Sequence, residues 1–153
     1  MKRISILKAL YESLKGIFLS IYCYHTIKVY LSNHLNIGIW KLFKQKTTLP
    51  HPVGIVIGYK VKIGKGCKIY HNVTIGTKDT YDFKNGTYPE IGNNVIIYPN
   101  SIILGNISIG DNSIIGAGSV LTENVPCNSI AIGNPAKIIE RKNNNSERNN
   151  EKR

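Results

Sequence analysis

Residues 91–126 read IGNNVIIYPNSIILGNISIGDNSIIGAGSVLTENVP and divide into six consecutive hexads. The first place of every hexad holds a large aliphatic residue, in order Ile91, Ile97, Ile103, Ile109, Ile115 and Leu121. The fourth place holds only asparagine or glycine, the residues that adopt a positive φ at least cost. A period of six fits neither a helix nor simple strand alternation. It predicts a solenoid of short flat strands, each followed by a corner.

The same period runs upstream from residue 57 as IGYKVK, IGKGCK and IYHNVT. Three hexads are expected to close one triangular coil, with successive coils stacked about 4.8 Å apart. The interval from Ile75 to Ile91, however, does not divide into whole hexads. A loop must therefore leave the solenoid, and residues 77–89 (TKDTYDFKNGTYP) are predicted to form it. Long loops on a rigid scaffold are more often functional than decorative.

The two ends of the chain have different patterns. In residues 1–37, large apolar residues recur every three or four places, which predicts an amphipathic and basic helical segment. This segment either packs on the end of the solenoid or on a sister subunit, or it makes a peripheral membrane contact. Residues 38–48 resemble a degenerate entry to the solenoid, with Trp40 and Phe43 predicted to cover its end. Residues 141–153 are polar and charged, which predicts a disordered tail.

Composition limits the classes of partner and compartment. The net charge of +11 favours anionic ligands, an anionic polymer or a membrane surface, and no nucleic-acid recognition module is visible. The three cysteines, Cys23, Cys67 and Cys127, have no C-x-x-C spacing and support neither a disulfide framework nor a zinc site. They fit a reducing cytoplasm, with the inner face of the membrane as the alternative. Cys67 occupies an inward fifth place and is predicted to be buried.

Several segments together resemble a known family. The segments LPHPVGIVIG, IYHNVTIG, ILGNISIG, IGAGSVL and GNPAK are similar to those of hexapeptide-repeat acyltransferases, in the serine acetyltransferase-like branch. The resemblance implies an all-β solenoid, a left-handed parallel β-helix over residues 38–140, preceded by the short helical segment. It also implies a homotrimer that uses acetyl-CoA in active sites between subunits, with no metal.

The resemblance places a catalytic histidine at His51, between Pro50 and Pro52. Histidine is suited to removing the proton of an alcohol that attacks a thioester. His71 lies one coil plus two positions later, near enough to be a second catalytic or acceptor-binding group. A zinc site is the rival use of two histidines, but the closely spaced histidine pair of γ-type carbonic anhydrases is missing.

The family pattern also assigns binding positions for acetyl-CoA. The matching residues are Gly76, Thr77, Pro99, Asn100, Ala117 and Gly118, with Lys137 placed for the CoA phosphates. Small residues at these places let a ligand approach the backbone closely. The alternative explanation of the glycines is corner geometry alone.

The acceptor is predicted from the departures from true serine acetyltransferases. Pro50 replaces an Asp, Thr87 replaces an arginine that holds the amino-acid carboxylate, and Tyr88 replaces a second histidine. These changes favour a sugar hydroxyl in surface-polysaccharide synthesis (capsule, exopolysaccharide or lipopolysaccharide) as acceptor, bound by the loop aromatics Tyr81, Phe83 and Tyr88. The alternatives are a serine O-acetyltransferase of cysteine biosynthesis and a non-catalytic solenoid scaffold.

Overall fold

The computed structural model describes residues 33–141, which form two short helices and a series of short strands. The helices are α1 (Ile39–Lys44) and α2 (Thr80–Asn85). The strands are β1 (His34–Leu35), β2 (Val56–Ile57), β3 (Lys62–Ile63), β4 (Lys68–Ile69), β5 (Thr74–Gly76), β6 (Glu90–Ile91), β7 (Ile96–Ile97), β8 (Ile102–Leu104), β9 (Ser108–Ile109), β10 (Ile114–Ile115), β11 (Val120–Leu121), β12 (Ser129–Ile132) and β13 (Lys137–Glu140).

The strands form three sheets that are parallel apart from one edge, and the chain visits the sheets in turn. The first sheet has the order β1-β2-β5-β8-β11, the second β13-β12-β10-β7-β4 and the third β3-β6-β9. Val56 pairs with Thr74 in the next coil, three hexads later, as a triangular coil requires. Thr74 pairs with Ile102 in the coil after that, so the insertion lengthens one coil without disturbing the register. Among the described strands, β13 alone is antiparallel, and it closes the second sheet as a hairpin with β12.

The core is the inside of this triangular coil. The first-place aliphatic residues are buried in every hexad from residue 57 to residue 121, and they stack on one another from coil to coil. The fifth places are buried too, including Cys67, as predicted. Buried serines at this place keep their hydroxyls bonded: Ser101 Oγ donates to Gly116 O at 2.9 Å and Ser113 Oγ donates to Pro126 O at 2.8 Å. Burial of the aliphatic stacks, with these serine hydroxyls paired, stabilises the coil.

Three corners connect the sheets, and we name them by their contents. The histidine corner (50–54, 70–73, 98–101 and 116–119) leads from the second sheet to the first. The insertion corner (58–61, 77–89 and 105–107) leads from the first sheet to the third. The amide corner (64–67, 92–95, 110–113 and 126–128) leads from the third sheet to the second.

The fourth-place residues have the predicted backbone at two of these corners. Asn94, Asn100, Asn112 and Gly118 have φ values of 55°, 60°, 58° and 65°. The prediction is wrong for Asn106 and Asn124, which are not among the residues with positive φ. In the turn that contains Asn106, the residue with positive φ is instead Gly105, with φ 94°. Asn124 uses its side chain differently, since its Oδ1 accepts a hydrogen bond from Ser108 N at 2.8 Å.

The N-terminal boundary differs from the prediction. Residues 34–35 are not helical but form β1, whose Leu35 is buried against the coil while His34 points outward. Trp40 and Phe43 do not cover the end of the solenoid, since they are 75% and 72% exposed, and Leu42 is the buried residue of α1. Residues 1–32 of the helical segment predicted for 1–37, and residues 142–153 of the tail predicted for 141–153, lie outside the described residues. Within residues 33–141, no helix is long and apolar enough to cross a membrane.

The insertion at residues 77–89 contains a helix as well as loop. Asp79 caps the start of α2, because its Oδ1 accepts a hydrogen bond from Asp82 N at 2.9 Å. Gly86, with φ 68°, ends the helix in the left-handed conformation. Both signals are present in the sequence, at the two ends of TYDFKN.

Candidate active site

The histidine corner brings His51 and His71 together. Their ring centroids are 6.1 Å apart with the rings nearly perpendicular, and His51 is exposed while His71 is half-buried. We call the part of a corner that belongs to one coil a rung. Hydrogen bonds between successive rungs hold the corner: Asn72 N donates to Val53 O at 2.9 Å and Asn100 N donates to His71 O at 3.2 Å. The corner therefore presents two imidazoles on neighbouring coils at one edge of a rigid scaffold.

Asn33 fixes the segment that carries His51. This buried amide donates from Nδ2 to Pro52 O at 2.7 Å, and its Oδ1 accepts from Ile55 N at 2.8 Å. Within the segment, Val53 N donates to His51 O at 2.9 Å. Sequence analysis missed Asn33, because it lies before the first hexad and no local pattern marks its distant partners.

His71 has an unused hydrogen-bonding atom. Its Nδ1 is buried and has no hydrogen-bond partner among residues 33–141. A buried polar atom that is left unpaired costs about 1–3 kcal/mol, so such atoms are commonly explained by a ligand or a partner group. In the neutral ring with its hydrogen on Nε2, Nδ1 is an acceptor.

Two tyrosines next to the histidines were also missed. The rings of Tyr70 and Tyr98 stack at 5.3 Å with an interplanar angle of 17°, and Tyr70 lies 6.4 Å from the His51 ring. Both occupy the second place of a hexad and are the first residues of the corner after a strand of the second sheet. The sequence hides their pairing, because the insertion lies between them and breaks the regular interval of three hexads.

Four of the predicted acetyl-CoA residues lie on the histidine corner. Pro99 and Asn100 form one rung and Ala117 and Gly118 the next, joined by the hydrogen bond from Gly118 N to Pro99 O at 2.9 Å. A Cβ added at Gly118 would meet nothing within 4 Å, and Ala117 is exposed. Pro99, Asn100, Ala117 and Gly118 thus form an open strip of small residues, which continues along the corner from the two histidines.

The other predicted acetyl-CoA residues lie elsewhere in the subunit. Gly76 and Thr77 are at the insertion corner, across the first sheet, where a Cβ added at Gly76 would also meet nothing within 4 Å. Lys137 is exposed at the start of β13, on the edge of the second sheet. One subunit therefore does not collect all seven residues at one place.

The insertion uses two of its residues for its own structure. Tyr88 is 7% exposed and packs edge-on against Tyr59, with ring centroids 5.3 Å apart. Gly58 makes room for it, because a Cβ there would lie 2.5 Å from the Tyr88 ring. Burial, together with Tyr59, raises the pKa of the Tyr88 hydroxyl. Thr87 Oγ1 donates to Asp82 Oδ1 at 3.0 Å.

These contacts decide which loop aromatics are available to a ligand. Tyr81 and Phe83 are exposed, at 75% and 55%, as the predicted binding role requires. Tyr88 has its ring faces covered and serves to hold the insertion on the solenoid. Within one chain, the structure does not bring Tyr81, Phe83 or Tyr88 to the histidines. The histidine corner precedes the strands of the first sheet and the insertion corner follows them, so the two corners lie at opposite ends of these strands.

No metal-binding cluster accompanies the histidines. Within the described part of the chain, no three His, Cys, Asp or Glu side chains are grouped so that they could hold a metal ion. Cys67 is in the core, with Sγ 3.1 Å from Gly92 O, and burial raises the pKa of its thiol. The histidine corner therefore groups the two imidazoles with the phenol rings of Tyr70 and Tyr98.

Comparison with known proteins agrees with this geometry. Residues 88–123 match the family model described as bacterial transferase hexapeptide (six repeats). The chain is 43% identical over 93 residues to serine acetyltransferase 2 of Arabidopsis thaliana, covering 60% of this chain and 28% of that protein. The chain is therefore similar to hexapeptide-repeat acyltransferases of the serine acetyltransferase type.

Solved structures give the same result. Soybean serine acetyltransferase complexed with serine has a TM-score of 0.55 at 39% identity, covering 61% of this chain and 37% of that chain. A serine acetyltransferase in complex with CoA has a TM-score of 0.55 at 34% identity, with the same two coverages. The likeness implies a left-handed sense for the β-helix. The chain spans well under two thirds of the length of these relatives.

The comparisons correct the predicted acceptor. The sequence departures at Pro50, Thr87 and Tyr88 were interpreted as favouring a surface-polysaccharide sugar. That prediction is wrong, because the relatives at 35–43% identity are serine acetyltransferases. Thr87 and Tyr88 have a structural explanation instead, since both hold the insertion together.

Proposed function

We propose that this protein is a serine O-acetyltransferase, which transfers acetyl from acetyl-CoA to the hydroxyl of serine. The observation that carries the proposal is the pair of imidazoles 6.1 Å apart, next to an open strip of small residues. The likeness to serine acetyltransferases at 34–43% identity supports serine as the acceptor and acetyl-CoA as the donor.

His51 acts as the general base in this proposal. Its exposed imidazole takes the proton of the serine hydroxyl as Oγ attacks the carbonyl carbon of the acetyl thioester. The tetrahedral intermediate then collapses, the C–S bond breaks, and the protonated histidine returns its proton to the departing CoA sulfur. Asn33 keeps the His51 segment in place through its bonds to Pro52 and Ile55. No step requires a covalent enzyme intermediate.

His71 is the second member of the site. Its buried Nδ1 is an unpaired acceptor within the described residues, and it is suited to receive an N–H of the serine ammonium or of a group from a neighbouring subunit. Thr87 bonds to Asp82 within the insertion and Tyr88 packs against Tyr59, so other groups must bind the serine carboxylate.

We also infer a homotrimer in which the insertion corner of one copy faces the histidine corner of the next. This arrangement would bring Gly76 and Thr77 beside Ala117 and Gly118, which are separated within one subunit. The outward faces of the first and second sheets favour such packing, since they include exposed apolar residues such as Ile102 and Ile132. The outward face of the third sheet carries the ion pair between Lys62 and Glu90 instead. Sedimentation equilibrium should give three chains per particle, and a monomer would contradict this arrangement.

The proposed activity is tested by release of free CoA from acetyl-CoA, followed with a thiol reagent, with and without serine. Wild-type protein should release CoA at a rate that depends on serine concentration, and His51→Ala protein purified in the same way should not. Serine-independent release, or equal rates in both proteins, would contradict the proposal. Absence of both CoA release and thermal stabilisation by acetyl-CoA would favour the non-catalytic scaffold.

A further inference from the structure

The N-terminal side of the chain is basic over a long distance. Between Glu12 and Asp79 the sequence contains no acidic residue and ten lysines. Eight of these lysines fall within the described residues, in α1, the segment after it and the first coils. The positive charge is therefore concentrated at one end of the solenoid, and the acidic residues that the structure describes come later in the chain.

α1 presents two large aromatic side chains at this end. Trp40 and Phe43 are three residues apart, so they lie on the same face of the helix, and both are more than 70% exposed. Leu42 lies on the opposite face and is 2% exposed, packed into the core. Lys41 and Lys44 are exposed beside the aromatic pair. The helix has no acidic residue in its first turn.

Further lysines adjoin this helix. Gly66 N donates to Gln45 O at 2.9 Å, which places Lys65 and Lys46 on neighbouring rungs. Thr48 bridges to Lys68 in parallel register. We call the surface formed by Trp40, Phe43, Lys41, Lys44, Lys46, Lys65 and Lys68 the aromatic-basic end.

We propose that the aromatic-basic end binds the surface of a membrane that contains anionic phospholipids. Trp and Phe side chains are favourable at the boundary between headgroups and acyl chains, and lysines around them are attracted to anionic headgroups. The long methylene stems of the lysines can lie along the same boundary while their ammonium groups remain at the headgroups. This proposal does not rest on the proposed acetyltransferase activity.

The combination of groups favours a membrane over other occupants. A single-stranded nucleic acid can also use lysines together with exposed aromatic side chains, which stack on its bases, and the oligonucleotide arm of the test below separates this occupant from a membrane. A second copy of the chain would bring the same lysines together, and like charges would repel across such an interface. An anionic lipid surface satisfies the aromatic rings and the lysines at once.

The single tryptophan of the chain makes the test direct, because Trp40 is the only indole in the protein. Full-length protein is mixed with vesicles of phosphatidylcholine alone, or of phosphatidylcholine with phosphatidylglycerol, while Trp40 emission and quenching by acrylamide are followed. Emission should move to shorter wavelength, and quenching should fall, only with the anionic vesicles. High salt should reverse both changes. Inorganic phosphate should have no effect, which separates a headgroup surface from a free anion.

Matched variants locate the contact, with vesicle co-sedimentation as the readout. Phe43→Ala should weaken binding, whereas Phe83→Ala, on the other short helix and 55% exposed, should not. Lys41→Gln with Lys44→Gln should lower the vesicle partition coefficient on the order of thirtyfold. Lys84→Gln, an exposed lysine of α2, should leave it unchanged. Circular dichroism and thermal melting check that each variant is folded.

Four results would overturn the proposal. Equal emission shifts on neutral vesicles would remove the anionic requirement. Short-wavelength, quencher-protected Trp40 emission without vesicles would show that the chain itself covers the surface, and its loss on dilution would identify a second copy. An equal shift with a single-stranded oligonucleotide would indicate a nucleic-acid site. Equal binding by Phe43→Ala and Phe83→Ala would place the contact elsewhere.

Discussion

The histidine corner and the amide corner have the same backbone but different polar side chains. At both, each rung places asparagine or glycine with φ between 54° and 70°. At the amide corner, Asn93 uses its whole side chain: Oδ1 accepts from Lys65 N, and Nδ2 donates to Asp111 Oδ2 at 3.1 Å. At the histidine corner, His51 is exposed and His71 Nδ1 is unpaired within the described residues.

This difference separates structural corners from a functional one. Regular corner residues identify the fold, because they recur on every coil at these two corners. Satisfied polar groups at the amide corner can be explained by stability alone. The unpaired Nδ1 of His71 beside the exposed ring of His51 is not explained in this way, and the two histidines are therefore the better evidence for a site.

The largest expected effect comes from His51→Ala. Loss of a general base should lower kcat/KM for serine by about 10²–10⁴-fold. The melting temperature should change little, because the side chain is exposed. Steady-state kinetics and thermal melting check the two parts. Asp111→Asn, a change at the amide corner, is the control and should retain wild-type kcat/KM. A comparable loss of activity in both variants would show that the two corners do not differ in function.

Gly64→Ala should destabilise the amide side of the solenoid. A Cβ at Gly64 would lie 2.5 Å from Gly92 O and 2.8 Å from Asn93 N, both backbone atoms of the next coil that cannot move independently. We expect a loss of about 1–3 kcal/mol in the free energy of unfolding, measured by urea denaturation. Gly76→Ala is the matched control, since a Cβ there has open space. Equal stability of the two variants would contradict the tight packing of the coils.

The hexad pattern made much of the fold predictable. Each inward place carries a strong and repeated burial signal, so the core residues, the length of a coil and the position of the insertion could be derived from 91–126 and the hexads before it. The proximity of His51 and His71 could also be expected, because one coil plus two positions brings residue 71 above residue 51. Periodicity is local information, and these features depend on little else.

Contacts between distant segments without a repeat could not be predicted in this way. Burial of Tyr88 depends on the space that Gly58 leaves on a different coil. β1 carries no hexad, and its two residues become a strand only because they pair with Val56 and Ile57. The acceptor was missed for a related reason: Thr87 and Tyr88 were interpreted as substrate-site changes, whereas their contacts are within the insertion and with Tyr59.

Gly118→Asn tests whether the open strip of the histidine corner binds acetyl-CoA. Asparagine can adopt the required backbone, since Asn72 and Asn100 have φ values of 54° and 60° on the rungs below. The free energy of unfolding should therefore be unchanged. The added side chain would occupy the strip at a cost of about 1–3 kcal/mol to a bound ligand, so KM for acetyl-CoA should rise about tenfold. Initial rates at varied acetyl-CoA measure it, and unchanged KM would remove Gly118 from the binding site.

The smallest effect concerns the pH dependence of the amide corner. Asp111 accepts hydrogen bonds from the backbone N–H of Asn93, at 2.7 Å, and from its side-chain amide, and these lower the pKa of Asp111. A pKa that is lower in the folded state means that the ionised carboxylate stabilises the fold above the unfolded pKa of about 3.9. That contribution is lost as the pH falls through the folded-state pKa.

Asp111→Asn should therefore be slightly less stable than wild type in urea at pH 7. In this variant, an N–H of the new side-chain amide faces the Nδ2–H of Asn93, so two donors meet where wild type has a donor and an acceptor. Below the folded-state pKa, the protonated carboxyl and the amide have the same charge and nearly the same shape, so the two urea midpoints should converge. Glu123→Gln removes the same charge from an exposed side chain and should show no such convergence. If the difference in urea midpoint between wild type and Asp111→Asn stays constant from pH 7 to acid, the hydrogen bonds between Asn93 and Asp111 do not depend on the charge of Asp111.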